Sequence, residues 1–138
     1  MSSALDRLKN LTAKISSYEV ARKENMAALE ALYRSLGIDD KVPDFQALFS
    51  FKAMNLAGIS LAEDSLGKPH EGKYVQIIAI TYDREAKVRN KNSSLAYFGR
   101  AEKLEPAQRD AIVAFVLRWR FEKSFRTLEH YHTMLQRF

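Results

Sequence analysis

The sequence predicts a mainly α-helical domain of the α+β class, with an all-α domain as the alternative. Three observations carry that prediction. Apolar residues recur at three- and four-residue steps from Ser3 to Leu36. A second helical pattern starts at Pro106 and runs without interruption to the C-terminus. Between them, KYVQIIAITYD is rich in β-branched residues, which favour a pleated, buried strand. The expected elements are a long helix over 3–36, a short helix over 44–57, a small strand pair within 73–101 and a long helix over 106–137.

The first helix has readable ends. Ser3 and Asp6 are spaced as a capping box, in which a hydroxyl and a carboxylate satisfy backbone donors at the helix start. Gly37 stands where a left-handed C-terminal cap belongs. Read in heptads, Leu8, Ile15, Arg22, Leu29 and Leu36 occupy one seam position, and Leu11, Tyr18, Asn25 and Leu32 the other. A polar pair in mid-seam, here Arg22 and Asn25, fixes register and partner number in coiled coils. A helix of this length is about 50 Å long, against a diameter of about 37 Å for a domain of 138 residues. Either it breaks, at Ser16-Ser17, or it pairs with another chain. The expected oligomer interface is Leu8, Leu11, Ile15, Tyr18, Arg22, Asn25 and Leu29.

GIDDKVP reads as a turn, and PDFQALFSFKAMNLAG as the short helix, with Gly58 ending it. EDSLGKPHEG is a loop, combining Gly, Pro and charge. In KYVQIIAITYD, Val75, Ile77, Ile78, Ile80 and Thr81 point to a strand, although Tyr74, Ile77, Ile78 and Thr81 also suit a helix stripe. A second strand would return after a loop near Asn90–Ser94.

Pro106 fits the first turn of the last helix, where its missing N–H costs nothing. The first half is apolar nearly all round and should lie centrally in the core. The second half is two-sided. Leu117, Phe121, Phe125, Leu128, His132 and Leu135 share a face expected to point inward, with His132 a hydrogen-bonded core residue. Trp119, Lys123, Arg126, His130 and Arg137 share the opposite face, expected to be wet.

Length and composition give a single domain, 1–138, with 46% apolar and 28% charged residues, as in ordinary globular proteins. The chain lacks cysteine, which excludes disulfides, thiol catalysis and cysteine-ligated zinc. No uncharged apolar run approaches the roughly 20 residues of a membrane span. MSSALDRLKN carries charge where a secretory signal is apolar. The expectation is a cytoplasmic protein that does not enter a membrane.

The net charge of +5 lies wholly in the second half. Residues 1–69 hold 9 basic and 9 acidic residues, and residues 70–138 hold 13 and 8. That asymmetry favours an anionic partner. Arg89, Lys91, Arg100, Trp119, Lys123, Arg126, His130 and Arg137 are the candidate nucleic-acid-binding residues, DNA or RNA, with cations for phosphates and Trp119 for stacking. The expected function is therefore that of a small nucleic-acid-associated protein, not an enzyme, working as part of a larger complex. The alternative is a protein–protein interaction or adaptor module that self-associates through the first helix. His130 and His132 are two apart and cannot converge on one metal from a helix, so no metal is expected. There is no glycine-rich phosphate loop, GxSxG or other catalytic motif, and no cofactor is expected.

Overall fold

A computed structural model of the protein describes residues 3–82 and 90–138, giving backbone alone for Ile15, Ser16 and Asn90. Two long helices, α1 (Ala4–Ser35) and α2 (Pro106–Leu135), combine with three strands, β1 (Ala53–Ala57), β2 (Tyr74–Tyr82) and β3 (Asn90–Arg100). The arrangement is α+β.

Helix α1 opens on the capping box. The Asp6 amide donates to Ser3 Oγ at 3.1 Å, and the Ser3 amide donates back to the Asp6 carboxylate at 3.4 Å. The helix runs unbroken across Ser16-Ser17 and ends at Gly37, whose φ of +74° turns the chain. Helix α2 lies antiparallel to it, since Tyr18 meets Phe125, Arg22 meets Glu122 and Asn25 meets Arg118. Among the described residues no helix is long and apolar enough to cross a membrane.

The sheet corrects the sequence reading at three points. It has three antiparallel strands in the order β1-β2-β3, not a strand pair, and so excludes the all-α alternative. The expected helix over 44–57 is a short 3₁₀ helix, Phe45–Ser50, capped by Asp44, followed by β1. Asn90–Ser94, expected as a loop, is the first part of β3. The physical reason is tertiary. β2 is apolar on alternate residues and needs partners on both edges, so its pairing overrides the helical spacing of Phe45, Leu48 and Phe51. Met54 pairs with Ala79 and Leu56 with Ile77, which puts all four on the inner face, while Asn55 pairs with Ile78 on the outer one.

One core joins the elements. Val75, Ile77 and Ala79 of β2 and Met54 of β1 are buried with Leu29 and Tyr33 of α1 and Ile112, Phe115 and Val116 of α2. The Tyr33 hydroxyl donates to the Val42 carbonyl, which ties the turn after α1 to that helix. Only the second half of α1 and the first half of α2 reach this core. All described side chains over 3–20 and 127–138 are exposed.

Gly58 ends β1 with φ at +88°, and a Cβ there would stand 2.6 Å from the Tyr74 carbonyl oxygen. Gly67 has a similar φ of +83° but open space around it. Gly67→Ala should cost about 1–2 kcal/mol, the left-handed strain alone. Gly58→Ala should cost about 3 kcal/mol or more, because backbone must also move. Urea unfolding of the two variants checks this, and equal midpoints would remove the close approach as a constraint.

Candidate functional site

Three backbone carbonyl groups decide how α2 lies on the molecule. The last residues of the 3₁₀ helix and the start of β1 expose backbone oxygens that no helix or sheet partner takes. Trp119 Nε1 donates to the Leu48 carbonyl at 2.8 Å, and Lys123 Nζ to the Phe49 carbonyl at 2.7 Å. Arg120 donates from Nε and Nη2 to the Met54 carbonyl at 3.2 and 2.9 Å, and from Nη2 to Asn55 Oδ1 at 3.2 Å. Arg126 reaches Gln46 Oε1 at 3.2 Å and stacks its guanidinium 4.0 Å over the Phe49 ring.

These contacts correct the sequence reading of the last helix. Trp119 is 2% exposed, so its ring fills the core and is covered from any base. Lys123 gives one donor to the Phe49 carbonyl, and Arg126 gives two to Glu122 and Gln46. Burial, then the nearby Arg126, lowers the pKa of Lys123. The face expected to be wet is the face that packs. The face expected to pack is open: Leu117 and Phe121 are over a third exposed, and Leu128 and Leu135 are 66% and 68% exposed. His132, expected in the core, is exposed too.

The residues expected at an oligomer interface divide along α1. Leu8, Leu11 and Tyr18 are exposed, and the side chain of Ile15 lies outside the described residues. Arg22, Asn25 and Leu29 are used within the chain. Leu29 is fully buried in the core. Asn25 Nδ2 donates to the Arg118 carbonyl at 2.9 Å, and Arg118 Nη1 donates back to Asn25 Oδ1 at 3.1 Å. Arg22 forms a bidentate pair with Glu122 (3.0 and 2.9 Å) and reaches Glu129 at 2.6 Å. Its guanidinium also lies 4.8 Å over the Phe125 ring.

Glu122 is the buried acid of the molecule's helix pair, 3% exposed, and it accepts from Arg126 Nε at 2.9 Å as well as from Arg22. Burial alone would raise its pKa, but the two guanidinium hydrogen bonds outweigh that and lower it. Glu122 in turn raises the pKa of Arg22. The Glu122–Arg126 pair is the i,i+4 ion pair that the spacing in the sequence implies, whereas the link from Glu122 to Arg22 and the role of Arg120 were missed.

The remaining cations do not gather. Arg89 lies outside the described residues. Lys91 and Arg100 are exposed at opposite ends of β3, with Arg100 3.5 Å from Glu102. His130 and Arg137 are exposed on the outer end of α2.

Glu122→Gln leaves Arg22 and Arg126 without their shared counter-charge and should destabilise the fold by about 2 kcal/mol. That is below the range for fully buried pairs, because both guanidiniums are partly solvated. The acid limb carries the sign. A folded-state pKa below the ordinary carboxylate value means that the unfolded chain binds the proton first. The stabilisation is complete above about pH 4.3 and is lost as pH falls through the folded value. Chemical denaturation from pH 7 to pH 2 should show the gap between wild type and Glu122→Gln closing at the acid end. A constant gap would contradict the pairing.

No protein-family model, no curated protein and no solved structure matches this chain.

Proposed function

We propose that the protein is a protein–protein interaction module that associates with itself through the outer halves of α1 and α2. The observation that carries this reading is the outward apolar face. Leu5, Leu8 and Leu11 on α1 and Leu128, Tyr131 and Leu135 on α2 are each more than half exposed. At about half the 150–250 Å² that a large side chain offers, these and their neighbours present on the order of 800 Å². That is the area one partner contributes to a stable interface. Most helical stability in proteins comes from tertiary packing, which the exposed outer halves lack within the chain and a second copy would supply. We assign the protein to the cytoplasm on the same footing, which the cysteine-free composition suits.

A second reading, contact with nucleic acid, is favoured by the four expected cations that stay exposed: Lys91, Arg100, His130 and Arg137. Arg7, Lys9 and Lys14, on the exposed half of α1, would add to them in an assembled arm.

Light scattering over a concentration series should give a mass of at least twice 15.8 kDa. Leu128→Glu with Leu135→Glu should yield monomer with unchanged helical circular dichroism. At about 2 kcal/mol per apolar side chain withdrawn from an interface, each change should raise Kd about thirtyfold. A monomeric wild type at high-micromolar concentration would end the self-association reading. For the second reading, filter binding of duplex DNA should weaken with salt. Lys91→Glu with Arg137→Glu should flatten the log–log slope by about 1.8, at 0.9 per phosphate. Absence of binding at low salt would end that one.

A further inference from the structure

Arg120 and Lys123 stand side by side in a groove of about 670 Å³ between β1 and the second half of α2. Ala53, Met54, Trp119 and Leu128 form its apolar walls, and Asn55, Ser124 and Thr127 its polar rim. No Asp or Glu among the described residues lines it. Every hydrogen bond that Arg120 and Lys123 make goes to a neutral oxygen, a backbone carbonyl or the Asn55 amide. Among the described residues neither forms an ion pair, and Arg120 Nη1 donates to none of them. Two partly desolvated positive charges thus face one cavity, whose lining also includes Lys52, and no carboxylate among the described residues lines it. That is an unfavourable arrangement, and an anion relieves it.

We propose that this groove binds a small amphiphilic carboxylate, with its head between Arg120 and Lys123 and its hydrocarbon body along Ala53 and Leu128, above the buried Met54 and Trp119. The volume lies inside the range of small-molecule pockets. A peptide strand is disfavoured, because Arg120 already occupies the Met54 carbonyl that an added strand would pair with. Charge selects the head, since the guanidinium fork and the ammonium both prefer an oxyanion. The apolar walls select the body. Burial lowers the pKa of Lys123, and a bound carboxylate should raise it again.

Trp119 is the chain's single tryptophan and forms part of the groove wall, so its emission reports occupancy. The test uses the full chain and decanoate as probe, with decyltrimethylammonium as a ligand of identical tail and opposite charge. Decanoate should saturate the Trp119 signal at one site per chain, and the cation should leave it unchanged. Arg120→Gln, which keeps a donor for Met54, should weaken decanoate about tenfold, the loss of one charge-assisted bond. Because that variant touches the fold, Ser124→Phe supplies an independent arm. Ser124 is exposed on the rim, and a ring there should fill the groove and abolish the response. Equal responses to the two detergents would overturn the charge argument. Binding undiminished in Ser124→Phe would overturn the location. Displacement of decanoate by a short polyglutamate peptide at lower concentration would replace the carboxylate amphiphile with an acidic chain and so overturn the proposal.

Discussion

The backbone carbonyls of residues 48, 49 and 54 are the constraint on which the rest of the structure depends. They lie where a 3₁₀ helix ends and an edge strand begins, and neither element supplies donors for them. Removed from water without a partner, each would cost about 1–3 kcal/mol. Trp119, Lys123 and Arg120 satisfy them from one face of α2. That single requirement sets the rotation of α2 about its own axis. It brings Glu122 toward Arg22 of α1 and Arg126 over the 3₁₀ helix, and it leaves Leu117, Phe121 and Leu128 open to solvent.

The sequence made the helix ends legible because caps are local chemistry. Ser3, Asp6, Gly37 and Pro106 act within one turn of where they stand, and the structure places them as the spacing implies. The orientation of α2 was illegible for the opposite reason. A helix with an apolar stripe and a basic stripe shows that two faces differ, not which one is dry. Hydrophobicity argued for burying Leu117, Phe121 and Leu128. The decisive partners, backbone carbonyls 66 to 74 residues away, carry no side-chain signature. β1 was hidden in the same way, since AMNLA is a strand only because the edge of β2 is there to pair with it. Nucleic-acid residues were chosen for charge and spacing, and the structure shows that two of those charges are structural donors.

The polar pair in the α1 seam was legible as a register device but not as to which helix it addresses. Arg22 and Asn25 fix register as mid-seam polar residues do, yet their counterpart is α2 of the same chain. Shifting the helices by one turn would strand Glu122 without Arg22 and leave Asn25 facing side chains in place of the Arg118 carbonyl. Specificity of this kind is paid in desolvation, and the Arg126 hydrogen bond to Glu122 offsets part of it.

The separation of those pairs along the chain bears on how the protein is made. Arg22 and Glu122 stand 100 residues apart, and Asn25 and the Arg118 carbonyl 93. At about 5–20 residues per second of synthesis, α1 waits roughly 5–20 s before its counterpart exists. Throughout that interval Leu29 and Tyr33 have no core to enter, and the apolar outer half stays uncovered. Nascent α1 therefore stays without its packing partner until α2 has been synthesised, and the helix pair closes only after that point.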